Sequence, residues 1–424
     1  MGTKRAVLRI AATLICCSAL AGGIWIARAQ RALAKAGQLV ELGLWPGVRL
    51  QTRRYLALHP NDARARLLLA EAWVKDDSID SQQSAKTALE QLARVSDESD
   101  LAAVARTQAG RLEFLILCRP ERAERLFRKA IELAPESRDA HYMLWKVLEQ
   151  TERRHLSADT FWRLYELTPV EERGYRLREW YMSQLFATTA NADLDRTMGF
   201  LEPGEEASLK SQGRRLAHFK VSDPNSSVAH AALAHWFQKQ GDVNYASRIL
   251  EETPQEVGGT ARDAFFVATR IGVLIDLGEF DRAQAVFEEW PSQREGYEFL
   301  KWRAVILDEI AGDFGLAASA YEEALSKWPG PFDWRLRNRW ANCLTRAGRK
   351  SEARQVRREA RVIEENMESD VHVELVHALS DLNDTTRLAE VAAFYERLGC
   401  LREAEAWYST IRRLDAMNVQ TSVK

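Results

Sequence analysis

The chain has 424 residues, of which 46% are hydrophobic and 28% are charged, so it carries enough apolar surface for a substantial core. Its 59 basic and 61 acidic residues give a net charge of −2, which argues against a nucleic-acid-binding protein, because such proteins usually carry a strong basic excess. With only 22 glycines and 11 prolines, and long stretches rich in alanine, leucine, arginine and glutamate, the composition favours helices over strands.

The N-terminal segment predicts a membrane anchor. An uncharged run of 18 residues extends from Ile10 to Ala27, with basic residues on both sides, and this length is at the lower limit for a transmembrane helix. We expect a retained signal anchor, with the rest of the chain outside the cytoplasm in a bacterial-type envelope. Two alternatives stay open. One is a signal peptide cleaved near Ala27-Arg28-Ala29, which would leave a secreted or periplasmic protein, and the other is a buried soluble helix.

The residues that usually carry chemistry are sparse and poorly spaced. Cys118, Cys343 and Cys400 are far apart and form no CxxC motif, so we expect buried apolar side chains. His372 and His377 are five residues apart, whereas the zinc-protease motif needs histidines four apart. The sequence contains no phosphate-binding loop and no nucleophile elbow. We therefore predict no catalytic residues, no cofactor and no metal.

An internal repeat is the clearest pattern in the chain. A glycine is followed five residues later by an alanine and, four residues further on, by an aromatic residue, and two copies of this pattern lie 34 residues apart. These copies are Gly278-Ala283-Phe287 and Gly312-Ala317-Tyr321, and looser copies are Gly241-Ala246-Leu250, Gly348-Ala353-Arg357 and Gly399-Ala404-Tyr408. The glycine permits a tight turn, the alanine allows two helices to approach, and the aromatic residue fills the space between them.

This spacing resembles the tetratricopeptide repeat family, as found in bacterial envelope proteins. The resemblance implies an all-α fold, a right-handed superhelical solenoid of antiparallel helix pairs, here preceded by a transmembrane helix. Pro203-Gly204 and Pro224 interrupt the pattern. The predicted organisation is an anchor over 1–35, repeats over 36–171, a degenerate helical region over 172–224, repeats over 225–418 and a tail over 419–424.

The resemblance also implies where a partner would bind. In this family the first helix of each pair lines a groove, and aligning Gly348 and Ala353 with the pattern places Arg335, Asn338, Asn342 and Arg346 there, with Trp302 in the preceding repeat. These five residues are the predicted partner-binding set. They lie within or near a basic block over 335–361, which is followed by an acidic block over 364–384. The two blocks would form either a basic patch for an anionic partner or helices that pair through opposite charges.

The leading functional hypothesis is a membrane-anchored scaffold that binds a protein or peptide partner, with an acidic partner as one option. An alternative is a non-catalytic subunit of an envelope enzyme or of an export or assembly complex. A third hypothesis is an enzyme with an unrecognised site in residues 172–224, which would require a convergent polar pocket there.

Overall fold

The computed structural model describes residues 27–185, 192–201, 208–254, 263–291, 293–367 and 369–422, together with the single positions 25 and 206. All regular secondary structure in these residues is helical, which confirms the predicted all-α class. The helices are α1 (27–41), α2 (Trp45–Leu56), α3 (Ala63–Val74), α4 (Ser81–Leu92), α5 (Ala102–Arg111), α6 (Pro120–Leu133), α7 (Arg138–Gln150), α8 (Arg154–Leu167), α9 (Arg173–Leu185), α10 (Ala192–Thr197), α11 (Leu209–Ser222), α12 (Ser227–Lys239), α13 (Val243–Glu251), α14 (Ala264–Asp276), α15 (Phe280–Glu288), α16 (Gly296–Ile306), α17 (Phe314–Leu325), α18 (Trp334–Arg346), α19 (Lys350–Asn366), α20 (Ser369–Ala378), α21 (Thr385–Arg397) and α22 (Leu401–Ser422).

The predicted transmembrane helix is not supported by the structure. None of the helices in the described ranges is both long and apolar enough to cross a membrane. The predicted segment, residues 10–27, lies outside the described residues apart from positions 25 and 27. The anchor therefore stays a prediction.

The helices form two compact units. Unit 1 comprises residues 1–117 and 122–140, and unit 2 comprises residues 118–121 and 141–424. In unit 1, helices α3 to α5 pack through small side chains such as Ala85, Ala88 and Ala105, all fully buried. Gly110 on α5 lies so close to Phe127 on α6 that an added Cβ would come within 2.5 Å of the ring. The predicted boundaries at 171 and 224 both fall inside unit 2 and stay predictions.

The repeat pattern corresponds to paired helices in unit 2, namely α12/α13, α14/α15, α16/α17, α18/α19 and α21/α22. The five pattern glycines all have φ between 69° and 84°, a left-handed conformation that costs glycine least, and each stands between the two helices of a pair. The alanines five residues later are at most 3% exposed. Where the sequence has Arg357 in place of the aromatic residue, the side chain is exposed and donates hydrogen bonds to Asn342 Oδ1 (3.0 Å) and Thr345 Oγ1 (3.2 Å).

Unit 2 closes on itself. Helices α8 and α9 share one hydrophobic core with α20, α21 and α22, although these elements are far apart in the sequence. Trp180 on α9 stacks on Phe161 on α8, with 4.4 Å between ring centroids, and Tyr181 contacts Phe394 and Tyr395 on α21. The Tyr181 hydroxyl also forms a 3.1 Å hydrogen bond with His372 Nδ1. The C-terminal helix pair is therefore held against the first helices of the unit.

The stretch 172–224 contributes to this closed unit. Its helices are α9, α10 and α11, with residues 186–191, 202–205 and 207 outside the described ranges. Arg215 on α11 binds both carboxylate oxygens of Asp195 on α10, at 2.6 and 2.7 Å, and both side chains are about 1% exposed. The two side chains engage each other, so this pair holds α11 against α10.

The basic block over 335–361 pairs mainly with acids outside the following acidic block. Arg346 binds Asp308 at 2.8 Å, Arg337 binds Glu359 at 3.2 Å, and Arg349 binds Glu352 at 2.5 Å. Among the described pairs, only Arg361 with Glu365 at 3.7 Å joins the two blocks. Cys118, Cys343 and Cys400 are free and buried, as the sequence predicted, and burial raises the pKa of all three thiols.

Candidate functional site

A cavity of about 410 Å³ lies inside unit 2. Its wall is formed by the first helices of four successive pairs, α12, α14, α16 and α18, of which α12 packs beside α14 and α14 beside α16. Most of the side chains on this wall are polar or charged, while Ala268, Val305 and Leu336 on the same wall belong to the apolar core. This is the face that the resemblance predicts for partner binding.

Several charges on the cavity wall are matched within the protein. Lys301 lies 3.8 Å from Glu298 one turn earlier on α16, and it also lies 4.8 Å from the ring centroid of Trp302. Gln238 on α12 donates a 2.7 Å hydrogen bond to Asp276 on α14. The two contacts of Lys301 lie within α16, and the Gln238–Asp276 hydrogen bond joins α12 to α14.

Two arginines on α18 carry charge that the protein leaves largely unmatched. Arg335 is exposed and stacks over Trp334 at 5.2 Å, and no carboxylate of the described residues lies within 4.0 Å of it. Arg339 reaches Glu309 only at 4.0 Å, the outer limit of an ion pair. The α18 side of the cavity is therefore available to a carboxylate or another anion.

Lys239 on the cavity wall pairs with a residue that lies outside the wall, in the turn between α7 and α8. Glu152 in this turn is buried, and its carboxylate lies 3.3 Å from Lys239 on α12. Burial alone would raise the pKa of Glu152, but the charges of Lys239 and Arg154 outweigh it and lower the pKa to about 2. Burial among the same groups lowers the pKa of Lys239, and Glu152 opposes that shift. The Glu152 carboxylate is thus charged at neutral pH.

Two histidines flank Phe265, which lines the cavity. His155 lies 5.9 Å and His235 lies 5.5 Å from the Phe265 ring centroid. Burial lowers the pKa of both imidazoles, and the charge of Lys239 lowers that of His235 further. Both rings are therefore uncharged at pH 7, and they provide polar atoms without adding charge. In the described ranges, no group of three or more histidine, cysteine or acidic side chains could hold a metal ion.

The predicted binding residues do not all lie at this cavity. Trp302 and Arg335 line it. Arg346 instead binds the buried Asp308, and Asn342 accepts a hydrogen bond from Arg357, so both are engaged with neighbouring helices. Asn338 is partly buried on α18. The set as a whole stays a prediction, and the structure brings only Trp302 and Arg335 together at the cavity.

Other wall residues were missed from the sequence. Arg339 lies one turn after Arg335 and could have been found from helical spacing, because residues four apart share a face. His235 lies on a first helix that the alignment did not reach, and Lys301 adjoins Trp302, the one residue of α16 that the alignment selected. Glu152, which pairs with the wall residue Lys239, carried no sequence signal, because the two residues are 87 positions apart.

Gly272 on α14 supports the wall of the cavity. An added Cβ would lie 2.9 Å from both Trp302 Cζ2 and Gln238 Nε2. We expect Gly272→Ala to lower the free energy of unfolding by about 1 kcal/mol, because the cost of overpacking exceeds the gain in helix propensity. Chemical denaturation measures this change.

Gly315 provides the matched control for that substitution. It also lies on a helix, but a Cβ there would meet only Asp313 Oδ1 at 3.6 Å, an ordinary contact. Gly315→Ala should leave the stability unchanged or raise it by about 0.5 kcal/mol. Equal stabilisation by both substitutions would show that Trp302 does not pack tightly on α14.

Comparison with known proteins supports the fold only. No protein-family model matches the chain, and no curated protein is significantly similar to it. A tetratricopeptide repeat protein from Parabacteroides merdae is 15% identical, with a TM-score of 0.30, and the match covers 63% of this chain and 95% of that one. Tetratricopeptide repeat proteins are thus among the solved structures to which this chain is similar. For the tetratricopeptide repeat domain of P58(IPK), the identity is 16%, the TM-score is 0.27, and the match covers 93% of this chain and 99% of that one.

A further similar structure is that of the Cut9–Hcn1 hetero-tetramer of the APC/C. It is 11% identical with a TM-score of 0.36, and the match covers 91% of this chain and 76% of that one. Similarities at this level add nothing about the site. The tetratricopeptide-type repeats of this chain are described by its own helix pairs, left-handed glycines and buried alanines.

Proposed function

We propose that the protein is a membrane-anchored scaffold that binds a protein partner through the cavity in unit 2. The observation that carries the proposal is the pair of largely unmatched arginines, Arg335 and Arg339, on the polar face of the first helices. A partner segment that bears carboxylates would complete this face through charge-assisted hydrogen bonds. Trp302 beside the arginines offers an aromatic surface for an apolar side chain of the same segment.

The proposal includes a location. The run from Ile10 to Ala27 would hold the chain in the membrane, with the rest of the chain that follows it outside the cytoplasm in a bacterial-type envelope. Cleavage after Ala27-Arg28-Ala29 would instead release a periplasmic or secreted form. Extraction of native membranes separates the two: an anchored chain resists alkaline and high-salt washes, whereas a cleaved chain appears in the wash at a lower mass.

Reversing the two arginine charges tests the binding face. A photo-crosslinking residue at Gln238 on the cavity wall, in the full chain in its native membrane, should capture the partner segment. We expect Arg335→Glu with Arg339→Glu to lower capture by at least about tenfold, because a carboxylate-bearing segment would then meet two like charges. Mass spectrometry of the crosslinked peptide measures both the yield and the acidity of the segment.

The control reverses the same number of charges elsewhere in unit 2. Arg354 and Arg361 on α19 are exposed and do not line the cavity. Arg354→Glu with Arg361→Glu should leave capture within about twofold of the unsubstituted protein. If both double variants lose capture equally, the loss reflects net charge and the cavity is not the binding face. A catalytic subunit among the captured proteins would identify the scaffold as part of an enzyme complex.

A further inference from the structure

The N-terminal part of the chain has an unusual charge balance. Residues 1–58 contain nine lysines and arginines but a single acid, Glu41, whereas the whole chain is nearly neutral. Basic residues that accumulate next to a membrane-spanning segment are attracted to anionic lipid. The position of these charges in unit 1 decides whether they form a surface or are used within the fold.

Four of these cations converge on one groove between α1 and α2. Arg28, Arg31 and Lys35 are three and four residues apart, so they lie along one face of α1, and Arg54 faces them from α2. The groove has a volume of about 570 Å³. All four side chains belong to exposed residues, and in the described ranges none has a carboxylate within 4.0 Å.

Two neighbouring cations on α2, Arg49 and Arg53, are engaged within the fold, unlike the four groove cations. Arg49 on α2 forms an ion pair with Asp76 and lies 4.5 Å from the Trp73 ring centroid, and Arg53 lies 5.1 Å from the same ring. The fold therefore uses Arg49 and Arg53 to hold α2 against α3. Among the described residues, it leaves the groove cations without a carboxylate to neutralise them.

Apolar side chains border the same groove. Trp25 is 57% exposed and Leu58 is 42% exposed, and both line it. An exposed tryptophan beside lysine and arginine is the composition found where a protein meets the headgroup region of a bilayer. An acidic peptide would match the charges, but it would leave the indole ring and Leu58 in water.

We propose that the α1/α2 groove binds the headgroup of an anionic phospholipid. The cations contact the phosphate, while Trp25 and Leu58 contact the glycerol and upper acyl region. The position of the groove supports this, because the apolar run Ile10–Ala27 leads directly into α1. The inference rests on the proposed membrane anchor, and it assigns to unit 1 a lipid ligand that the scaffold proposal does not contain.

The test measures lipid binding by the full chain. The protein is purified in a neutral detergent, and the affinities of short-chain phosphatidylglycerol and of phosphatidylcholine with the same acyl chains are measured by native mass spectrometry. We expect phosphatidylglycerol to bind more tightly. Arg31→Gln with Arg54→Gln should lower the affinity for phosphatidylglycerol by about thirtyfold at low ionic strength, because each basic residue near an anionic lipid surface raises the affinity by a similar factor. Phosphatidylcholine binding should not change.

Arg64→Gln with Lys86→Gln is the matched control, because both are exposed cations of unit 1 outside the groove. An equal loss in this control, or equal affinities for the two lipids, would overturn the proposal. So would displacement of phosphatidylglycerol by an equal concentration of inorganic phosphate, because the site would then recognise phosphate alone. Failure of the anchor gives a different result: the full chain would leave native membranes in an alkaline wash while the lipid preference persisted.

Discussion

Replacing Trp180 by alanine should lower the free energy of unfolding of unit 2 by about 4 kcal/mol. Trp180 is fully buried at the centre of the closed core, where it stacks on Phe161 and lies 5.0 Å from the ring centroid of Trp328. Removing the indole would leave a cavity between α8 and α9 that the surrounding rings could not fill. Denaturant titration of the full chain, read out by hydrogen exchange in α9 and α22, measures the loss.

Trp340→Ala is the matched control for that prediction. Trp340 is partly buried at the edge of the core formed by α14 to α19, outside the closed contact. This substitution should lower the free energy of unfolding by about 1–2 kcal/mol, because it removes less buried apolar surface. The decisive observation is that the backbone amides of α21 and α22 undergo faster hydrogen exchange in Trp180→Ala than in Trp340→Ala. Normal protection of those helices would show that the closure does not depend on this residue.

Glu403→Gln should stabilise the protein at pH 8 by up to about 3 kcal/mol. Glu403 on α22 is only 5% exposed, and burial raises the pKa of its carboxyl to about 7. The folded protein keeps this proton up to about pH 7, whereas the unfolded chain loses it near the usual pKa of 4.5. The contribution of Glu403 to stability therefore falls as the pH rises from 4.5 to 7. Glutamine does not titrate, so this pH-dependent loss of stability is absent in Glu403→Gln.

Unfolding free energies at pH 4, 6 and 8 test this directly. The difference between Glu403→Gln and the unsubstituted protein should be small at pH 4, grow through pH 6 and level off by pH 8. Glu405 on the same helix is exposed and pairs with Arg412 at 2.5 Å, so Glu405→Gln should change stability by less than about 0.5 kcal/mol throughout. A pH-independent difference for Glu403→Gln would contradict the raised pKa.

The repeats could be predicted from the sequence because they depend on local contacts. A left-handed glycine, a small alanine and an aromatic side chain act within one helix pair, so their spacing appears in a short window. The same local reasoning explains only part of what happens at Arg357, where the pattern lacks its aromatic residue. The sequence showed that the aromatic residue was missing, but not that the guanidinium would bind Asn342 and withdraw it from the predicted binding set.

The closure and the cavity could not be predicted, because they depend on contacts between distant residues. Tyr181 and His372 are 191 residues apart, and Gln184 and Trp328, which share a 3.1 Å hydrogen bond, are 144 apart. No periodic pattern encodes such pairs. The groove in unit 1 shows the same limit. Arg28 and Arg31 follow the apolar run directly in the sequence, whereas Arg54 joins them only through the packing of α2 on α1.

The closed core of unit 2 has a consequence for synthesis of the chain. The aromatic face of α8 and α9 is complete long before the residues that cover it are made, since Tyr181 precedes His372 by 191 residues. At ordinary elongation rates this interval lasts roughly 10 to 40 s, during which Trp180 and its neighbours have no cover from the C-terminal helices. A nascent chain of this protein is therefore a natural client for a chaperone, and truncation before α20 should yield an aggregating product.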